Sequence, residues 1–109
     1  MLASGDVVLA EFFGVVEDKI RPCVVVSTDI YHRTRPDALL CVLTTNVAMA
    51  TAPSDYILQD WAAAGLHQPS VFRSFFNTTP RTRIKVIGHL SDRDWLEVQA
   101  RLRVAVAVA

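Results

Sequence analysis

Apolar residues along the chain fall in short clusters separated by polar stretches rich in Gly, Pro, Asn, Asp and Thr. That punctuation favours short strands over helices for most of the length. A turn signal at Gly5-Asp6 precedes a β-rich run from Val7 to Phe13 that ends at Gly14. Val15 to Lys19 carries Glu17 and Asp18 with little periodicity and reads as a loop. It leads into Ile20-Arg21-Pro22-Cys23-Val24-Val25-Val26-Ser27, the strongest strand signal in the chain. Pro22 has no N–H for a central ladder, so it belongs at the start or edge of its strand, and Arg21 falls at the strand's mouth. Thr28 to Asp37 is a polar connection, and Ala38 to Thr45 is the next strand, predicted to pair antiparallel with the previous one. If Ser27 faces Ala38, equal steps along both strands bring Arg21 opposite Thr44. A slip of one residue would put Thr45 there and turn every side chain to the other face.

Asn46 to Ser54 is small and irregular, Asp55 to Leu58 a short strand, and Gln59 to Gly65 at most a helical turn ended by its glycine. Val71 to Phe76 is a further strand, Asn77 to Thr82 carries turn chemistry, and Ile84 to Leu90 alternates as a half-buried strand with Gly88 at a bulge. Ser91 to Asp94 fits a capping box, and Trp95, Val98, Leu102, Ala105 and Val106 recur at helical spacing up to the C-terminus. The pattern is a small barrel or curled sheet with one helix against it.

A chain of 109 residues, 51% hydrophobic and 20% charged, suits one domain over residues 1–109. No apolar run approaches the ~20 residues of a membrane span, and Met1 to Asp6 does not read as a secretory signal, so a cytoplasmic protein is expected. Eleven Lys and Arg balance eleven Asp and Glu. The zero total argues against a polyanionic partner only if the charges are mixed, and they are not. No acid lies between Asp60 and Asp92, where Arg73, Arg81, Arg83 and Lys85 fall together with His67 and His89. Lys19, Arg21, Arg33 and Arg35 form a second basic set, and nine of the eleven cations are Arg, whose planar fork suits phosphate and stacks on bases. Phe72, Phe75 and Phe76 beside Arg73 could stack bases, although alternating Phe on a strand is ordinarily core.

The histidines His32, His67 and His89 would be an acid–base pair only if brought together, and their spacing does not require it; each reads otherwise as a solvated residue. No metal is expected, because no two candidate ligands have metal-site spacing. Cys23 and Cys41 read as reduced, buried strand residues; Cys23 as a nucleophile would have only Arg21 to lower its pKa.

Gly5-Asp6-Val7-Val8, Lys19-Ile20-Arg21-Pro22 with Val24-Val25-Val26-Ser27, Val42-Leu43-Thr44-Thr45-Asn46, Gly65-Leu66 with Pro69-Ser70-Val71, and Ile87-Gly88-His89-Leu90 occur in that order. Together they resemble the MazF/PemK family of type II toxin-antitoxin endoribonucleases. The resemblance implies a mainly β (α+β) fold: a small, partly open Src-homology-3-like barrel of the CcdB/MazF kind with a C-terminal helix. It implies a cytoplasmic homodimer that cuts single-stranded mRNA at specific sequences without cofactor or metal and is neutralised by a cognate antitoxin protein. It also implies a catalytic pair, Arg21 and Thr44, with Lys19, Pro22, Thr45, Asn46, Arg73 and Arg81 as substrate-binding residues. Two departures stand out: a short loop between the first two strands, and Phe75-Phe76-Asn77 where polar RNA contacts are usual. The rival expectations are a CcdB-like inhibitor of DNA gyrase, disfavoured by Arg21-Pro22, and an RNA-binding module without cleavage activity.

Overall fold

The computed structural model describes residues 2–13 and 18–108. Six antiparallel strands, β1 (Asp6–Phe13), β2 (Asp18–Val25), β3 (Asp37–Thr44), β4 (Tyr56–Ile57), β5 (Val71–Pro80) and β6 (Lys85–His89), form one sheet in the order β4-β5-β3-β2-β1-β6. Helix α1 spans Asp29–Thr34 and helix α2 spans Asp92–Ala105, with 3₁₀ turns at Val47–Met49 and Arg81–Arg83. No helix among the described residues is long and apolar enough to cross a membrane.

The sheet curls into an open half-barrel. β1 and β5 are three places apart in it, about 14 Å if flat at ~4.8 Å per strand. Yet Asn77 Nδ2 of β5 donates to the Glu11 carbonyl of β1 at 3.4 Å. Alternation along the strands sorts the core into two clusters. Val7, Val24, Cys41, Leu43 and Phe72 lie in one, covered by Val98 of α2, by Leu58 and Leu66, and by the partly buried Trp95 and Leu102. Val8, Ala10, Cys23, Val25, Ala38 and Leu40 form the other.

Where local signals are strong the structure follows them. Ser91 caps α2, its Oγ accepting from Asp94 N at 3.3 Å. The β1–β6 register shifts opposite Val86 to Gly88, a bulge beside the predicted glycine. Gly65 ends its turn with φ +89°.

Other elements differ from the pattern. Lys19 belongs to β2, paired with Phe12, and residues 14–17 of the expected loop lie outside the described residues. The connection after β2 holds α1, capped by Thr28 Oγ1 and pinned by His32, whose Nε2 is 2.6 Å from Ser27 Oγ. The Asn77–Pro80 segment, read as a turn, continues β5 because Asp37 to Leu40 pair with it. Three β5 residues, 73–75, stand opposite Val42 alone. This irregularity re-aims the strand, leaving Phe72 buried but Phe75 and Phe76 53% and 46% exposed. The helical stripe stops at Leu102, since Ala105 and Val106 are exposed. The reciprocal half of the capping box is replaced by a longer-range contact. Asp94, fully buried, accepts from Tyr56 Oη at 2.6 Å, Gln59 N at 3.0 Å and Asp60 N at 2.8 Å, tying α2 to the segment after β4.

Candidate functional site

The β2–β3 ladder pairs Cys23 with Val42, Val24 with Cys41 and Val25 with Leu40, the register in which Ser27 faces Ala38. Hydrophobic alternation on both strands admits no one-residue slip, because a slip would exchange the two core clusters. Continued two residues past its last pair, this register sets Arg21 against Thr44 at the rim of the half-barrel, where both are half-buried. On its other side Arg21 pairs with Ala10 of β1.

Among the described residues Arg21 makes no ion pair, so the rim salt bridge to Glu11 is not formed. Glu17 and the Asp18 side chain, the other acids considered for it, lie outside the described atoms. Thr44 Oγ1 accepts from Asn46 N at 3.4 Å, which leaves its O–H to donate outward. Asn46 is committed locally: its Oδ1 caps the 3₁₀ turn by accepting from Ala48 N at 3.2 Å.

Pro22 and Thr45, next in the chain to the rim pair, share a cavity of about 430 Å³ with Leu9, Ile87 and the segment from Gly65 to Ser70. Lys19 is exposed on β2. Arg73 is near the Thr44 end of β5, but its Nε is 3.6 Å from Asp55 Oδ1 and its guanidinium stacks on the Phe75 ring at 4.3 Å. Arg81 is at the opposite end of β3, roughly 23 Å away at ~3.3 Å per residue. There it donates to the Pro36 carbonyl from Nε at 3.3 Å. The rim therefore gathers Arg21, Pro22, Thr44, Thr45 and Asn46 and does not gather Arg81. Arg83 and Lys85, outside the expected site set, line a second cleft of about 340 Å³ with Ala10, Glu11 and Ile20. Their position in the acid-free stretch was the available sequence signal.

The remaining candidate chemistry is accounted for elsewhere. Burial pushes the Cys23 thiol up to about 12 despite the opposing pull of Arg21, and Cys41 likewise, so neither is a thiolate nucleophile. His32, expected to be solvated, is 5% exposed and bonded to Ser27, whose Oγ also accepts from Leu39 N at 3.0 Å. His89 Nδ1 is held 2.8 Å from Asp6 Oδ1, joining the start of β1 to the end of β6. His67 is exposed beside the 430 Å³ cavity. No group of three or more His, Cys, Asp and Glu is gathered as a metal site among the described residues. The rim offers a fixed cation and hydroxyl donors, a combination suited to stabilising negative charge on phosphate oxygens.

Solved structures share this fold. A mycobacterial endoribonuclease in complex with its cognate antitoxin aligns with TM-score 0.78 at 17% identity, covering 100% of this chain and 98% of that one. The Mycobacterium tuberculosis toxin MazF-mt6 aligns with TM-score 0.75 at 20% identity over 92% and 94% of the two chains. A MazE-MazF structure from Deinococcus radiodurans gives TM-score 0.74 at 17% identity over 99% and 97%. No curated protein matches the chain. Residues 3–106 match the family described as PemK-like, MazF-like toxin of type II toxin-antitoxin system, and by that match over almost its whole length the chain belongs to the PemK/MazF toxin family.

Proposed function

We propose that the protein is a sequence-specific, metal-independent endoribonuclease toxin that cuts single-stranded mRNA as a cytoplasmic homodimer and is neutralised by a cognate antitoxin. The observation that carries this reading is the β2–β3 register: continued to the rim, it sets the Arg of the Arg-Pro motif against Thr44. The family match supports the reaction class, and exposed apolar side chains such as Ile20, Phe75 and Phe76 offer surface for a protein partner.

The substrate supplies its own nucleophile. The ribose 2′-oxygen attacks the adjacent phosphorus, a P–O2′ bond forms, and the P–O5′ bond breaks. Products are a 2′,3′-cyclic phosphate, or the 3′-phosphate after hydrolysis, and a 5′-hydroxyl. With a pKa above ~12, guanidinium is no base at neutral pH. Arg21 acts instead by stabilising the phosphorane charge and giving a proton to the departing 5′-oxygen, recovering it from solvent as water takes the 2′-hydroxyl proton. Thr44 holds a non-bridging oxygen through its O–H. Preorganised donors of this kind contribute roughly 10²–10³ in rate each.

The test is digestion of a long single-stranded RNA by the purified protein in EDTA, with the new 5′ ends mapped. Cleavage at a recurring short sequence is expected, and Arg21→Ala and Thr44→Ala should each lower it by about 10²-fold or more. Intact RNA across varied sequences would refute the activity. Wild-type rates in both variants would refute the assigned pair.

A further inference from the structure

The two clefts at the rim differ in a way that separates what each can hold. One carries Arg83 and Lys85. The 430 Å³ cavity has no Asp, Glu, Lys or Arg in its lining: its walls are Leu9, Pro22, Leu66 and Ile87, and its polar groups are Thr45, His67, Gln68 and Ser70. Apolar walls with a few hydrogen-bonding groups suit a flat, uncharged, edge-polar ligand, and the volume falls in the ~300–1,000 Å³ range of small-molecule clefts.

The cavity is rigid. Gly65 packs so tightly on β6 that a Cβ there would lie 2.5 Å from the Ile87 carbonyl oxygen, and one on Gly88 would lie 2.0 Å from that of Ala64. Ser70 Oγ donates to the Gln68 carbonyl at 2.9 Å, and Leu58 N donates to the Ser70 carbonyl at 2.9 Å. Its position is equally specific. Pro22 and Thr45 follow Arg21 and Thr44 directly, one ~3.8 Å Cα step away on each strand, so a nucleotide with its phosphate at the rim has this cavity within reach of its base.

We infer that this cavity takes one unstacked RNA base flanking the scissile phosphate, gripped by Pro22 and Leu66 and read along its edge by His67 and Gln68. The inference rests on the endoribonuclease reading and adds the element that selects the cut sequence. Single-stranded RNA is read in this way, by splaying a base out and hydrogen-bonding its edge.

His67 and Gln68 are exposed, so His67→Ala and Gln68→Ala should fold normally. Two readouts are combined: cut-site preference of wild type and both variants on a long RNA, and photo-crosslinking of the wild type to a randomised 2′-O-methyl RNA pool carrying one 4-thiouridine. The expected result is about a tenfold loss of base preference at a single flanking position, other positions unchanged, with crosslinks to residues 65–70. Cleavage with unchanged preference in both variants and no such crosslink overturns the base pocket while the nuclease reading stands. Crosslinks at 65–70 without cleavage overturn the nuclease reading while the pocket stands. Neither cleavage nor crosslinks overturns both.

Discussion

Replacing Asp94 by Ala tests whether one buried carboxylate holds the C-terminal helix to the sheet. The side chain is fully buried and accepts from Tyr56 Oη, Gln59 N and Asp60 N at 2.6, 3.0 and 2.8 Å. Removing it orphans three donors, each costing roughly 1–3 kcal/mol when unsatisfied. The Tyr56 contact is fully buried and takes the upper part of that range, whereas the two backbone N–H groups are partly buried and can recruit water, which places them near the lower end. The sum is about 3–5 kcal/mol, a large share of the ~5–15 kcal/mol that stabilises a typical domain. Tyr56→Phe removes one donor while Asp94 keeps two, and should cost about 1–2 kcal/mol. The assay is urea unfolding by circular dichroism at one fixed protein concentration, since self-association would add to apparent stability. In the double variant the Tyr56→Phe cost should shrink by about 1 kcal/mol or more, because its partner is already gone. A cost below about 1 kcal/mol for Asp94→Ala, or strictly additive losses in the cycle, would refute the argument.

Gly88→Ala should destabilise by about 2 kcal/mol or more, because the new Cβ meets backbone rather than a movable side chain; thermal unfolding measures it, and an unchanged Tm would contradict the contact. The Asp60 carboxyl is held down at about 2 by its hydrogen bonds to Arg93 and Ser91. Its folded-state pKa lies below the unfolded one, so the stabilisation present above about pH 4 should fade as pH falls towards 2. Arg93→Ala should flatten that window in an acid-unfolding series. The Tyr56 hydroxyl is pushed up to about 12, first by burial and then by Asp94. Its folded state therefore retains a proton the unfolded chain loses, so stability should decline as pH rises from about 10 towards 12, and Tyr56→Phe should remove that slope. Cys23 and Cys41, buried with thiols raised to about 12, should resist iodoacetamide in the native state at pH 8 and react once unfolded; prompt native labelling would show they are reachable.

Much of the rim was legible before the fold was seen, for a definite reason. Two strands whose apolar positions alternate onto different core clusters have one acceptable register, and the short polar connection between Ser27 and Ala38 sets its origin. Pro22 confines its neighbour to the strand mouth by lacking an N–H. Local chemistry was equally readable at the Ser91 cap and the bulge beside Gly88, each governed by residues a few positions apart. The tight backbone contacts at Gly65 and Gly88 were visible only as glycines.

The sequence by itself determined the strand pattern, the β2–β3 register and the placement of Arg21 at a strand mouth, because backbone stereochemistry and hydrophobic alternation act over neighbouring residues. Tertiary structure alone decided which charges are available and where the hollows lie. Arg73 is neutralised by Asp55, eighteen positions away, and Arg81 is held at the far end of β3. His32 is drawn into a buried bond with Ser27 within a helix of six residues, far shorter than the ~12–15 an isolated helix needs, so packing is what holds it. The uncharged cavity beside the rim is assembled from β1, β2, β6, Thr45 and the 65–70 segment, pieces separated by up to about eighty residues in the chain. Ion pairs and cavities form between distant residues, and only the curl of the sheet brings those residues together.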